Sequence, residues 1–241
     1  MKAKFALVVF SLAVFSLSGC SYIEKARRTD VLEAENAGLR DTIARLQKEK
    51  TKEVERVYEE KGKELSELER AKRELEESLK KEIGDYKAKL EMTERGLVIT
   101  FVSEVFFDSG KDIIKVDGKL SLDKVAEVLN RDVPHSQVAV EGHTDNDPIK
   151  YSGWKSNWEL SSARALAVVH YFVEESKVEP QRLSANGYGE YQPVAPNDSV
   201  QNKQKNRRVE IVIIPKVPKE RGLKDTDVLE GHTPIRYEKV K

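Results

Sequence analysis

The chain has 241 residues, 35% of them charged, with 42 basic side chains against 42 acidic ones. That balance leaves no basic excess to gather on one face, which excludes the electrostatic footprint of a nucleic-acid binder. Aromatic residues make up 7% of the chain and are scarce between residues 24 and 96, so only part of it can fill a globular core.

Lys2 and Lys4 open the sequence, Phe5 to Leu17 are almost all apolar, and the run ends in Leu-Ser-Gly-Cys at Cys20, the only cysteine. The apolar stretch is too short to span a bilayer comfortably, so residues 1–19 read as an export signal. The Leu-Ser-Gly-Cys ending resembles a bacterial lipobox. That resemblance implies a lipoprotein acylated at Cys20, palmitate included, and Ser21 behind it implies sorting to the outer membrane. Two or more acyl chains suffice as an anchor where one is marginal. With no second cysteine, no internal disulfide can form.

Residues 20–95 follow as a stalk. From residue 22 they contain no proline and only Gly38, Gly62 and Gly84, and Glu, Lys, Arg, Leu and Ala dominate, the composition of a long exposed helix. Leu32, Asn36, Leu39, Ile43 and Leu46 keep the spacing of a coiled-coil seam, with Asn36 at a core position where it would fix register. The seam falters after Lys50, resumes at Leu65, Leu68 and Leu75, and shifts phase through Leu79, Ile83, Tyr86 and Leu90. Helix throughout would reach roughly 100 Å. Such a rod can join copies of the chain or recruit envelope proteins; the bland alternative is a lone charged helix.

The pattern changes at Gly96. "LVITFV" (97–102) reads as a strand, Leu122, Val125, Ala126 and Leu129 mark one face of a helix over about 116–130, and Val138, Val140 and Gly142 alternate as a second strand. Ser156 and Glu159 form a capping-box pair at the start of a helix running to about Glu175. Strands over 183–188 and 209–213 complete a βαβαββ order, which predicts an α/β (α+β sandwich) domain over 96–215 with a mixed sheet covered by helices. Residues 216–241 are charged and patternless, and are expected to be a disordered tail.

One connection, "EGHTDNDPIKYSGWKSNWELSSARA" (141–165), concentrates chemistry. A metal site would use His143, Asp145 and Asp147, but zinc calls for three donors at tetrahedral spacing and calcium for a longer acidic loop, so no metal is expected. Catalysis would need Ser161 or Ser162 beside His143 or His170, and serines on a helix without an elbow motif argue weakly for it. Binding fits better. Asn157, Ser161 and Arg164 share one helix face, and Arg164 lies where that helix begins to be buried. A guanidinium there wants a carboxylate, while Asp145 at the exit of the second strand can accept an ammonium. The pair suits a zwitterionic ligand, or the two residues simply neutralise each other as a structural salt bridge; spacing alone leaves both open.

The segments "FDSGKDIIKVDGKLSLDKVAEVL", "VEGHTD", "NWELSSARALAVVHYF", "GYGEYQPVAPN" and "NRRVEI" resemble, in order and spacing, the C-terminal domain of OmpA-like outer-membrane proteins and peptidoglycan-associated lipoproteins, over about residues 97–215. The longer spacing between "HTD" and "NWELSSARA", with Trp154 and Trp158, resembles the peptidoglycan-binding half of the flagellar stator B protein. The resemblance implies a non-enzymatic domain, without cofactor, that binds peptidoglycan at the free amino-acid end of diaminopimelate. It implies Asp145 for the ammonium and Arg164 for the carboxylate, with Thr144, Asn157, Leu160, Ser161, Arg207 and Arg208 around the ligand. It implies an outer-membrane lipoprotein facing the periplasm that ties membrane to wall; the alternative is a stator-like or other envelope-machine subunit.

Overall fold

The computed structural model describes residues 2–150 and 152–215, with side chains from residue 25 onward. The expected signal segment, Cys20 and the tail beyond residue 215 therefore lie outside the described side chains. The chain divides into two units, residues 1–59 and 60–241.

The first unit is helical, within α1 (Lys2–Ser78). Its proline-free run of strong helix formers accounts for that without tertiary support. Leu32, Leu39, Ile43 and Leu46 of the expected seam are all exposed in the single chain. Asn36 Nδ2 donates to the Leu32 carbonyl at 2.9 Å, so its amide is satisfied inside its own helix. Among the described residues no helix is long and apolar enough to cross a membrane.

The second unit holds a five-stranded sheet in the order β1-β2-β5-β3-β4. Its strands are β1 (Ala88–Thr93), β2 (Gly96–Val102), β3 (Gln137–His143), β4 (Leu183–Gly187) and β5 (Arg208–Ile214). Only β3 and β4 run parallel; the other neighbours are antiparallel. The helices α2 (Lys80–Gly84), α3 (Val116–Arg131), α4 (Asn157–Glu174) and α5 (Val200–Asn206) complete it. The expected α/β class with a mixed sheet is the one found.

The main core gathers Leu97, Ile99 and Phe101 of β2, alternate residues of β3 and β5, and the apolar faces of α3 and α4. Leu68, Ala71, Leu75 and Leu79 belong to this core. That corrects the reading of residues 20–95 as stalk throughout. Leucines that read as a seam after residue 65, Leu68 and Leu75, are buried in this core, and the helix ends at Ser78. Tyr86 then turns the chain with a positive φ of 57°, and β1 pairs with β2. The signal for β1 was the alternation of Ala88, Leu90 and Met92 with Lys89, Glu91 and Thr93, hidden behind a helix-like composition. The short α5, capped by Ser199, which accepts from Asn202 N at 3.2 Å, was also unforeseen, because "VQNKQKN" carries no apolar stripe.

Helix α4 lies close on the backbone of β3 and β4. A Cβ at Gly142 would collide with the Ser161 carbonyl, and one at Gly187 with the Ser162 side chain. The bare backbone at both positions lets the helix bring its first two turns to the end of β3. The capping box is half realised: Glu159 N donates to Ser156 Oγ at 3.4 Å, while the Glu159 carboxylate accepts from Lys155 N at 2.8 Å instead of from Ser156.

Candidate functional site

Three strand ends meet at one margin of the sheet. Val102, the last residue of β2, and His143, the last of β3, both register against Arg208, the first of β5. The residues just beyond them, Ser103 and Glu104, Thr144 and Asp145, and Arg207, are therefore brought together. The first turns of α4 close over the same margin. They bound a cavity of about 710 Å³ that Asn157, Leu160 and Arg164 also line.

Arg164 is 5% exposed. Its Nε donates to the Lys111 carbonyl at 2.9 Å and its Nη2 to the Asp108 carbonyl at 3.1 Å. The guanidinium lies over the Phe107 ring, 5.2 Å from its centre. Among the described residues it forms no ion pair. Burial pushes its pKa down to about 10; the Arg207 charge adds to that, and Glu104, Asp112 and Asp145 oppose it. The group stays protonated at neutral pH, held by two neutral carbonyls and facing a cavity. A carboxylate arriving there restores the missing counter-charge.

Asp145 is engaged elsewhere. Its Oδ2 accepts from Arg207 Nη1 at 2.6 Å and its Oδ1 from Asp147 N at 3.1 Å. Arg207 also donates through Nε and Nη2 to Glu104 Oε1, at 2.9 and 2.7 Å. Burial works against the Arg207 charge, but the hydrogen bonds to Asp145 and Glu104 overcome it and raise its pKa. The structural salt bridge between Asp145 and Arg164 that the sequence left open is thus not formed. Four acids, Glu104, Asp108, Asp145 and Asp147, and four cations, Lys111, Lys150, Arg164 and Arg207, balance around the cavity, and a ligand carrying one charge of each sign keeps that balance.

The other expected residues divide. Thr144 Oγ1 donates to the Asp145 carbonyl at 2.8 Å, and Thr144 N to Gly189 O at 2.9 Å, which fixes the strand exit. Asn157 Nδ2 donates to Asp147 O at 3.1 Å and to Glu190 Oε2 at 2.7 Å, tying α4 to both neighbouring loops. Ser161 does not line the cavity: its Oγ accepts from Gly189 N at 2.9 Å and donates to Trp158 O at 3.0 Å. Arg208 is also outside the lining and pairs with Glu210 at 2.6 Å on the strand itself. His143 does not join Asp145 and Asp147 in a ligand cluster among the described residues.

Sequence reasoning missed Glu104, the partner of Arg207, and the 108–111 loop whose carbonyls hold Arg164. An acid two residues past an apolar strand was the available signal for Glu104. The segment 146–156 supplies Asp147, Pro148, Ile149, Lys150 and Ser152 to the cavity wall. Trp154 Nε1 donates to the Gly110 carbonyl at 3.0 Å, pinning that segment to the loop under Arg164.

The OmpA family model matches residues 106–207. The uncharacterized protein YtxE of Bacillus subtilis is 32% identical over 214 residues, 86% of this chain and 83% of that protein. Motility protein B of the same organism is 39% identical over 150 residues, 62% of this chain and 57% of that protein, so the match spans little more than half its length. Among solved structures, the cell wall anchor of the T6SS from Pseudomonas aeruginosa is 30% identical with a TM-score of 0.54, over 59% of this chain and 97% of that one. The chain belongs to the OmpA family, with motility B proteins among its relatives.

Proposed function

We propose that the second unit binds peptidoglycan non-covalently by taking the zwitterionic end of diaminopimelate into the cavity, with its carboxylate on Arg164 and its ammonium shared between Asp145 and Glu104. The observation that carries the reading is the buried guanidinium of Arg164, which has only carbonyl partners and opens on a cavity beside two acids. Lysine in the stem peptide lacks the second carboxylate and would leave Arg164 uncompensated. Discrimination of this kind is worth on the order of 2–5 kcal/mol. The relatives support it, since one is a cell wall anchor and another a motility protein B.

The same reading makes the whole chain a tether: Cys20 acylated and held in the outer membrane, the domain in the periplasm, and the seam from Leu32 to Leu46 joining copies of the chain. Bivalent attachment makes a weak wall contact effective because the anchor confines the domain beside a dense polymer. The match to motility protein B supports a second reading, a stator-like subunit of an envelope machine whose helix recruits protein partners. Incorporation of labelled palmitate that is lost in Cys20→Ala favours the lipid tether; absence of label favours the machine subunit.

The binding test is co-sedimentation of the full chain with diaminopimelate-type and lysine-type sacculi. The chain should pellet with the first and not the second, and Arg164→Ala and Asp145→Ala should stay in solution while melting as folded proteins. Equal pelleting by wild type and both variants would reject the site.

A further inference from the structure

β3 and β5 also share the sheet face turned away from α3 and α4. Their register sets Glu141 directly opposite Glu210 and His143 opposite Arg208. Like charges facing each other across a strand pair are destabilising, so this arrangement calls for cations. Two are present. Arg208 Nε donates to Glu210 Oε1 at 2.6 Å, and Arg95, from the β1–β2 turn, donates to Glu141 Oε1.

Each carboxylate thus gives an arginine only its Oε1, while the Tyr188 hydroxyl also faces Glu141 and its ring stacks on His143 at 5.1 Å. Glu141 Oε2 has no hydrogen-bond partner, and neither does either ring nitrogen of His143. Both residues are nearly sealed from solvent, at 3% and 2% exposure. Glu210 Oε2 has only a long contact, 3.8 Å, to Arg95 Nη1. One donor atom each from Glu141, His143 and Glu210 lie within 4.8 Å of one another. Two ligands of a tetrahedral ion with bonds of about 2.0–2.2 Å sit roughly 3.3–3.5 Å apart, a separation that small side-chain rotations reach. Burial first, then the charges of Arg208 and Arg95, hold the imidazole neutral with a pKa near about 3, the form that ligates without losing a proton.

We propose that Glu141, His143 and Glu210 form a three-ligand site for a divalent, zinc-like cation, which enters by displacing the Arg95 guanidinium. Two carboxylates and two guanidinia already balance, so departure of Arg95 offsets one charge of an arriving dication and ionisation of its bound water offsets the other. Arg208 is buried, whereas the Arg95 side chain is 51% exposed on a turn and can swing into solvent. One imidazole and two carboxylates suit a borderline ion and leave a position for water.

The test is titration of the chelator-treated full chain with cobalt(II), followed by displacement with zinc chloride. One equivalent of cobalt should give a visible ligand-field band that zinc removes. His143→Gln and Glu210→Gln should each weaken binding by roughly tenfold or more, and Arg95→Gln should strengthen it by roughly tenfold. No band with wild type, a band unchanged in both ligand variants, or weaker binding in Arg95→Gln would each overturn the proposal. Arg95 lies on an exposed turn, so that variant gives an answer even where a buried one fails to fold.

Discussion

Arg164 donates its hydrogen bonds to carbonyls of the 108–111 loop, and that sets what a substitution there does. Arg164→Lys keeps the charge but loses the planar fork. It should bind diaminopimelate-type sacculi roughly tenfold or more less tightly, with little change in melting, as a co-sedimentation isotherm beside a thermal melt will show. His143 gives a pH signature of its own. Its pKa is held near about 3 in the folded chain, against ~6.5 when unfolded, so between those values the unfolded state binds the extra proton. Stability contributed by the neutral imidazole is complete above about 6.5 and declines toward pH 3 by up to about 1.4 kcal/mol per unit. Chemical denaturation with EDTA present should show this slope, and His143→Gln should flatten it. Asp145 and Arg164 were legible as a pair because their charges stand on a strand exit and a helix face. Their actual partners, Arg207 and two carbonyls, come from distant segments that no local spacing encodes.

Elements were legible where their period was undisturbed: β2, α3, β3, α4 and β5 follow their apolar patterns to within a residue or two. β1 was lost because charged residues of helical type surround a three-residue alternation. The last turns of α1 were misplaced because a leucine spaced for a coiled coil is equally spaced for packing on a sheet. Leu75→Ala should cost about 2–5 kcal/mol, the size of a core truncation, where a solvated seam position would cost far less. A thermal melt decides this, at roughly 2–4 °C per kcal/mol for a domain of this size. Gly142→Ala drives a methyl into the Ser161 carbonyl and should cost about 1–3 kcal/mol. It should also weaken wall binding, because α4 carries Arg164; unchanged melting would contradict the close helix–strand contact.

At the scale of the whole molecule, the helical unit leaves Leu32, Leu39, Ile43 and Leu46 exposed in a single copy. If the seam joins copies, Ile43→Glu should shift sedimentation to the monomer while leaving the melting of the sheet domain unchanged. Sedimentation of the wild type as a monomer at the same concentration would leave recruitment of other proteins as the role of the helix.

The tether proposed above would also be a mechanical part. Load applied through residue 60 meets Leu68, Ala71, Leu75 and Leu79 before it meets the cavity, and behind them β1, which is bonded to β2 alone. β2, β5 and β3, whose ends carry the proposed wall-binding groups, each have a strand on both sides. Pulled from its stalk, the domain should first pay out residues 60–95 at low force and yield the remaining sheet only later, so in the proposed tether a shock between membrane and wall would stretch the leading segment and leave the cavity closed.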